Sequence, residues 1–244
     1  MASPLEQFTI EPIVKFGIGG TDLSFTNSSL WMLITAITLV GFVVIGTQRR
    51  ALVPGRLQSA VEYFHQVVAD MVRDNVGSAG RPYFPFIFTL FMFILFGNLL
   101  GLIPGAFTFT SHLAVTFAMS AFIFIGVTLI GLITHGLKFF SLFFPHGAPI
   151  VSAPVLIPIE IISYFSRPIS LSVRLFANMT VGHVLLKVIG GGVVALGGFF
   201  VVPGLVPFAA LVAITMLEVM IAVIQAYVFA ILTCVYLNDA LHLH

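Results

Sequence analysis

From Pro82 to Leu137 the chain carries no aspartate, glutamate, lysine or arginine, and that run fixes the solvent in which it can fold. It is too long for one membrane crossing and right for two, since a helix needs roughly 20 apolar residues to cross the hydrocarbon layer. A second charge-free run lies between Asp22 and Arg49. Hydrophobic residues make up 59% of the 244-residue chain and charged residues only 8%, against about 25% charged in a soluble domain. So few charges cannot cover a water-facing surface of this size, and lipid must be the solvent for much of it.

The remaining charges mark the boundaries. A first span is expected over 30–47, ending in TQRRALVPGR with Arg49, Arg50 and Arg56. The excess of arginine places that end in the cytoplasm or its equivalent. The first residues hold Glu6, Glu11 and Asp22 against Lys15 and can lie outside. MASPLEQFTIEP lacks the basic start and apolar run of a signal peptide, so the spans themselves must direct insertion.

Residues 57–75 read differently. Leu57, Ala60, Val61, Phe64, Val67, Val68, Met71 and Val72 follow i, i+3, i+4, i+7 spacing, with Glu62, His65, Asp70 and Arg73 off that stripe. This is an amphipathic helix lying on the inner membrane surface or packed on protein. Two further spans are expected over 84–103 and 114–136, turning outside at Pro104-Gly105 and Thr110–His112. His135, Lys138 and His146 mark the next inner loop. A long pair follows over 149–189 and 207–237, joined outside by GGGVVALGGFFVVPG, Gly190–Gly204. The expected fold is one all-α integral membrane domain with five transmembrane helices and one interfacial helix, the last two long, tilted and paired as a hairpin.

Several function classes fall away. A net charge of +1 offers no basic footprint for a nucleic acid. Cys234 stands alone, so no internal disulfide exists and it reads as a small apolar filler. His112 and His146 read as loop residues, and no spacing supports a metal site. No cofactor motif is present. The GxxxxGK[ST] nucleotide loop and HExxH-type spacing are both absent. Without an internal repeat, a transporter built from inverted halves is disfavoured.

The informative residues are charges inside the last two helices: Glu160, Arg167, Arg174, Lys187 and Glu218. A charge at bilayer depth costs about 2.5–3.5 kcal/mol on insertion scales. Lys187 is near the outer end and can snorkel. Arg167 precedes Pro168 and either reaches inner headgroups or supports the site. Arg174, Glu218 and His183 are too deep to escape. At about 100° per residue, Glu160, Ser163, Arg167, Ser170, Arg174 and Asn178 fall within roughly 40° of one line, while His183 faces the other way from Arg174. Glu218 and Gln225 share a face of the last helix, and Asp239 continues it. With the hairpin centred near residue 200, His183 matches Glu218 in depth, Arg174 matches Gln225, and Glu160 matches Asp239.

Imidazole and carboxylate exchange protons near neutral pH, whereas a guanidinium stays charged. The layout is therefore an outer proton-exchanging pair, a fixed central cation and an inner carboxylate. A continuous wire would leak, and two half-pathways separated by a fixed positive charge would not. Proton conduction ranks first on these residues. A free-standing channel or secondary transporter would conduct when purified alone, and an intramembrane enzyme would need a nucleophile or ligands at one depth.

SRPISLSVRLFANMTVGH (Ser166–His183) and MLEVMIAVIQAYVFAILTCVYLNDALHLH (Met216–His244) closely resemble subunit a of F-type ATP synthases. FPFIFTLFMFILFGNLLGLIPG, HGLKFFSLFFPHGAP and SPLEQF extend the resemblance over nearly the whole chain. It implies a non-catalytic stator subunit beside a rotating ring of c subunits, each with a mid-membrane carboxylate. The other implied partners are b-type peripheral stalk subunits and the rest of the F1Fo complex, with ATP chemistry left to them. Arg174 matches the essential arginine that separates two half-channels and meets each ring carboxylate. Asn178, His183, Glu218 and Gln225 match positions of the outer half-channel and the arginine's surroundings. Glu160 matches the carboxylate of the inner half-channel, and Arg167, Ser170 and Asp239 are candidate supports. Many bacterial members have Glu at the position of His183 and His at that of Glu218. The exchange here, as in alphaproteobacterial and mitochondrial forms, implies a His/carboxylate contact. It leaves the source open between a bacterial inner membrane, the expected location, and a mitochondrial one, and the sequence leaves open proton against sodium coupling.

Overall fold

The computed structural model describes residues 9–15, 17–18, 21–22, 24–48, 53–103, 105–136, 138–139, 153–197 and 201–242. Six helices dominate: α1 (Asn27–Gln48), α2 (Arg56–Val76), α3 (Phe84–Gly101), α4 (Leu113–His135), α5 (Ala153–Gly197) and α6 (Val201–Leu241). Five helical stretches are long and apolar enough to cross a membrane: α1, the stretch Arg56–Gly101 that includes α3, α4, and most of α5 and of α6. The chain is an all-α, multi-pass membrane protein. In lipid, a backbone N–H or C=O finds no water to bond, so spanning segments close their hydrogen bonds within a helix.

That rule corrects the expected outer turn. The sequence places helix breakers at Gly190–Gly204, yet α5 runs straight through Gly190, Gly191 and Gly192 to Gly197, and α6 begins at Val201. Each glycine costs a helix about 1 kcal/mol relative to alanine, less than several kcal/mol for each backbone group unpaired in hydrocarbon. Pro158 and Pro168 lie inside α5 and Pro207 inside α6. With 45 and 41 residues, these helices are about 68 and 62 Å long at 1.5 Å per residue. That is twice the hydrocarbon thickness of about 30 Å, so they tilt steeply or project from it.

α3 is the hub. Its Ile87, Met92, Ile94 and Leu95 are essentially inaccessible, as an evenly hydrophobic helix requires. α6 packs on α3 through residues spaced by four: Ala222, Ala226, Ala230 and Cys234 are all fully buried. Small side chains at this spacing let helix backbones approach closely, which in lipid replaces the missing hydrophobic drive. Cys234 is thus the small filler the sequence implied. α4 packs against α5 and α6, and α1 against α2 and α3.

α2 settles the alternative left open for its stripe. Val61, Val68, Met71, Val72 and Val76 are buried, and the last four join a cluster that includes α3 and α6 side chains. The apolar face of α2 packs on protein, with Arg73 pairing Asp70 at 2.9 Å on its exposed side. The N-terminal residues hold an element the sequence reading did not contain. Short antiparallel pairs join Pro12–Val14 to Phe25–Thr26 and Gly17–Ile18 to Thr21–Asp22. Asn27 clips them to α1: its amide donates to Thr9 O at 3.0 Å, and its carbonyl accepts from the Ser28 N–H at 2.9 Å.

Candidate functional site

α5 and α6 carry the buried charges, and they cross close enough that glycine is required at one point. A Cβ at Gly182 would lie 2.5 Å from Glu218 Oε1 and 3.0 Å from its Cδ. The Glu218 carboxyl therefore rests on the backbone of α5. It is only 5% exposed, and neither oxygen meets a protein hydrogen-bond donor. Gln225, two turns further along, is also buried.

His183 follows Gly182 but turns away from Glu218. Its Nε2 lies 2.8 Å from Thr108 Oγ1, in the connection between α3 and α4. The direct His183–carboxylate contact expected from the exchanged residues is thus absent: no ion pair joins His183 to Glu218, and the carboxyl has no hydrogen-bond partner. The reason is rotational. Successive residues on a helix point about 100° apart, so with Gly182 against α6, position 183 is swung towards the α3–α4 connection.

That connection is a polar wedge. Thr108, Thr110 and Ser111 are buried with Phe107 and Phe109. Thr110 donates to Asn98 Oδ1 at 2.9 Å, and the Asn98 amide donates to Ala222 O on α6 at 3.3 Å. Thr180 of α5 donates to Ser111 O at 3.2 Å. His112 closes the wedge, its ring stacked on Phe107, and burial lowers its pKa. His146 lies outside the described residues.

At the inner end the expected depth matching shifts. Asp239 pairs with Arg167 rather than aligning with Glu160: Arg167 Nη1 donates to Asp239 Oδ2 at 2.8 Å. Gly182 against Glu218 mirrors the helices about residue 200, and Arg167 against Asp239 about residue 203. Two tilted helices drift in register as they cross, which a flat hairpin ignores. The Arg167 guanidinium also lies over the rings of Tyr164 and Tyr236, at 5.5 and 5.0 Å. Tyr164 in turn shares a 2.7 Å hydrogen bond with Thr128 of α4.

This inner cluster ties α4, α5 and α6 together. Replacing Asp239 with Asn keeps the shape and removes the charge. It should cost about 1–2 kcal/mol, a charge-assisted bond discounted for partial exposure, read as a lower Tm in detergent. Arg167→Lys should cost at least as much, because an ammonium cannot reproduce the planar stacking between two rings. Unchanged melting in both variants would remove the cluster from the list of structural ties.

The polar stripe of α5 is split. Arg167 turns in to Asp239, whereas Ser163, Ser170 and Arg174 are exposed and Glu160 and Asn178 half-buried. Arg174 takes part in none of the ion pairs among the described residues. Tyr236 lies within electrostatic reach of both Arg167 and Arg174. Ile169, Val173 and Val181 on α5, and Met220, Val223 and Ile224 on α6, are also exposed. Among the described residues no group of histidine, cysteine and carboxylate side chains could hold a metal ion.

Sequence reasoning missed Asn98, Thr108, Thr110, Tyr164 and Tyr236. A signal existed for three of them. Tyr164 precedes Arg167 by three residues, and Tyr236 precedes Asp239 by three, so each tyrosine shares a helix face with a charge. Asn98 was also legible as the one amide inside an otherwise apolar helix.

Comparison with known proteins agrees with this architecture. The family description "ATP synthase A chain" matches residues 29–238. ATP synthase subunit a of Paramagnetospirillum magneticum is 60% identical over the full length of both chains. That of Rhodospirillum rubrum is 59% identical, also over both full lengths. The subunit a of the red alga Chondrus crispus is 48% identical over all of this chain and 98% of its own. The chain therefore belongs to the ATP synthase subunit a family.

Proposed function

We propose that this chain is the stationary, proton-translocating subunit of the membrane sector of an F-type ATP synthase, without a catalytic site of its own. It offers two offset half-channels to a rotating ring of c subunits. The observation that carries the reading is Arg174, a permanent cation on an exposed face of a spanning helix and outside every ion pair among the described residues. At bilayer depth such a charge needs a counter-charge, water or a snorkelling route. A carboxylate carried past on another subunit supplies the first.

Protons then enter from the outside by way of the buried polar groups around His183, Asn178 and Glu218, and neutralise a ring carboxylate, which can turn to lipid. After nearly a full revolution the carboxylate releases its proton towards Glu160. Arg174 holds the ionised carboxylate and repels a proton that would take the short way. Gln225 and Ser170 flank it, and Arg167 with Asp239 secures the inner end of the helix pair. The peripheral stalk, through b-type subunits, would keep the chain from turning with the ring.

The ring contact is testable. Ser170 is exposed one turn from Arg174, and Ile133 is 81% exposed on α4. In the assembled complex, a cysteine at Ser170 should form a disulfide with one placed beside the c-subunit carboxylate. A cysteine at Ile133 should not. Equal yields from both, or none from Ser170 in a coupled complex, would place the ring elsewhere.

A further inference from the structure

Thr108 is buried, and its single hydroxyl serves two neighbours. Oγ1 lies 3.0 Å from Gly101 O, to which it donates, and 2.8 Å from His183 Nε2. The first contact depends on glycine, since a Cβ at Gly101 would lie 2.5 Å from Thr108 Oγ1. A hydroxyl has one proton to give and two lone pairs to accept with. While its proton is on Gly101 O, it accepts from a protonated Nε2. When Nε2 is bare, the hydroxyl rotates and donates to it.

We propose that Thr108 is a positioning residue for His183, holding the imidazole in place in both protonation states so that the ring can exchange a proton without swinging out of line. This rests on the reading of His183 as a proton-exchanging group of the outer half-channel. A carboxylate at position 108 would favour one charge state, and an aliphatic side chain would hold neither. The other titratable groups at this end are Lys187 on α5 itself, Glu218 on α6 beside Gly182, and His112 at the start of α4. The outer ends of α1 and α3 bring none, and the described residues before α1 carry Glu11, Lys15 and Asp22.

The test uses the whole complex in sealed vesicles, with proton-driven ATP synthesis followed against the pH of the entry side. Thr108→Ser should keep the parent profile. Thr108→Val should move its midpoint by about half to one pH unit, the size expected for one lost hydrogen bond to a titrating group. Thr108→Ala removes the hydroxyl without adding bulk and should give the same shift even if the valine variant assembles poorly. A uniform drop in rate with no shift in either variant would overturn the positioning role, provided His183→Ala does move the profile. A His183→Ala profile identical to the parent would instead remove the reading of His183 on which this inference rests.

Discussion

Arg174→Ala should abolish coupled ATP synthesis while leaving the chain folded and assembled. The side chain is exposed and joins no ion pair among the described residues, so its loss takes no internal tie from the fold. Removing a charge from an apolar surface should, if anything, ease insertion. The expected result is a complex of normal subunit content whose vesicles make no ATP from an imposed proton gradient. Arg174→Lys should remain at least about tenfold below the parent, equivalent to roughly 1.4 kcal/mol. An ammonium shed of its water can give up its proton, whereas a guanidinium does not. Parent-like synthesis in the alanine variant would sink the role proposed for this residue.

The second large effect runs in opposite directions for stability and function. Glu218 is buried against Gly182, with neither oxygen bonded to a protein donor. A buried polar group left without a partner costs about 1–3 kcal/mol. Glu218→Leu should therefore raise the Tm of the detergent-solubilised protein, while proton-driven synthesis falls at least about tenfold, again some 1.4 kcal/mol or more in rate terms. A carboxylate kept for structure would give the reverse: lower stability, with transport affected only through loss of protein. Lower stability in the leucine variant would thus count against the transport role.

The parts of the fold legible in the sequence were those set by one-dimensional rules. Charge-free runs gave the spans, and the i, i+4 stripe of α2 gave an amphipathic helix, though not what it packs on. That answer needed α3 and α6, which meet α2 only in three dimensions. The glycines of 190–192 misled because they break helices in water, where the backbone has an alternative partner, and not in lipid, where it has none. The strands before α1 were missed because segments of two or three residues carry no periodicity.

The site divides in the same way. Arg174, Glu218 and His183 stand out because their chemistry contradicts their surroundings. Their partners do not. Thr108 and Thr110 look like turn residues until the connection is seen to fold inwards, and the Arg167–Asp239 pair emerges only once the crossing of α5 and α6 fixes their relative register. Helical phase found the residues on each helix, and only packing could say which of them meet.

The small-residue seam of α6 has one more consequence. Ala222, Ala226, Ala230 and Cys234 hold that side of the helix to the core, and its exposed side chains include Met216, Met220, Val223 and Ile224, with Tyr227 beside them. These four side chains have no N–H or O–H to donate and no oxygen to accept with. A neighbour sliding across them breaks no hydrogen bonds, and the only resistance is the shallow corrugation of dispersion contacts, each about 0.1–0.2 kcal/mol. The methionines bend to follow a changing profile. α6 is thus clamped to the core on one side, while these four side chains offer no hydrogen-bonding hold on the other.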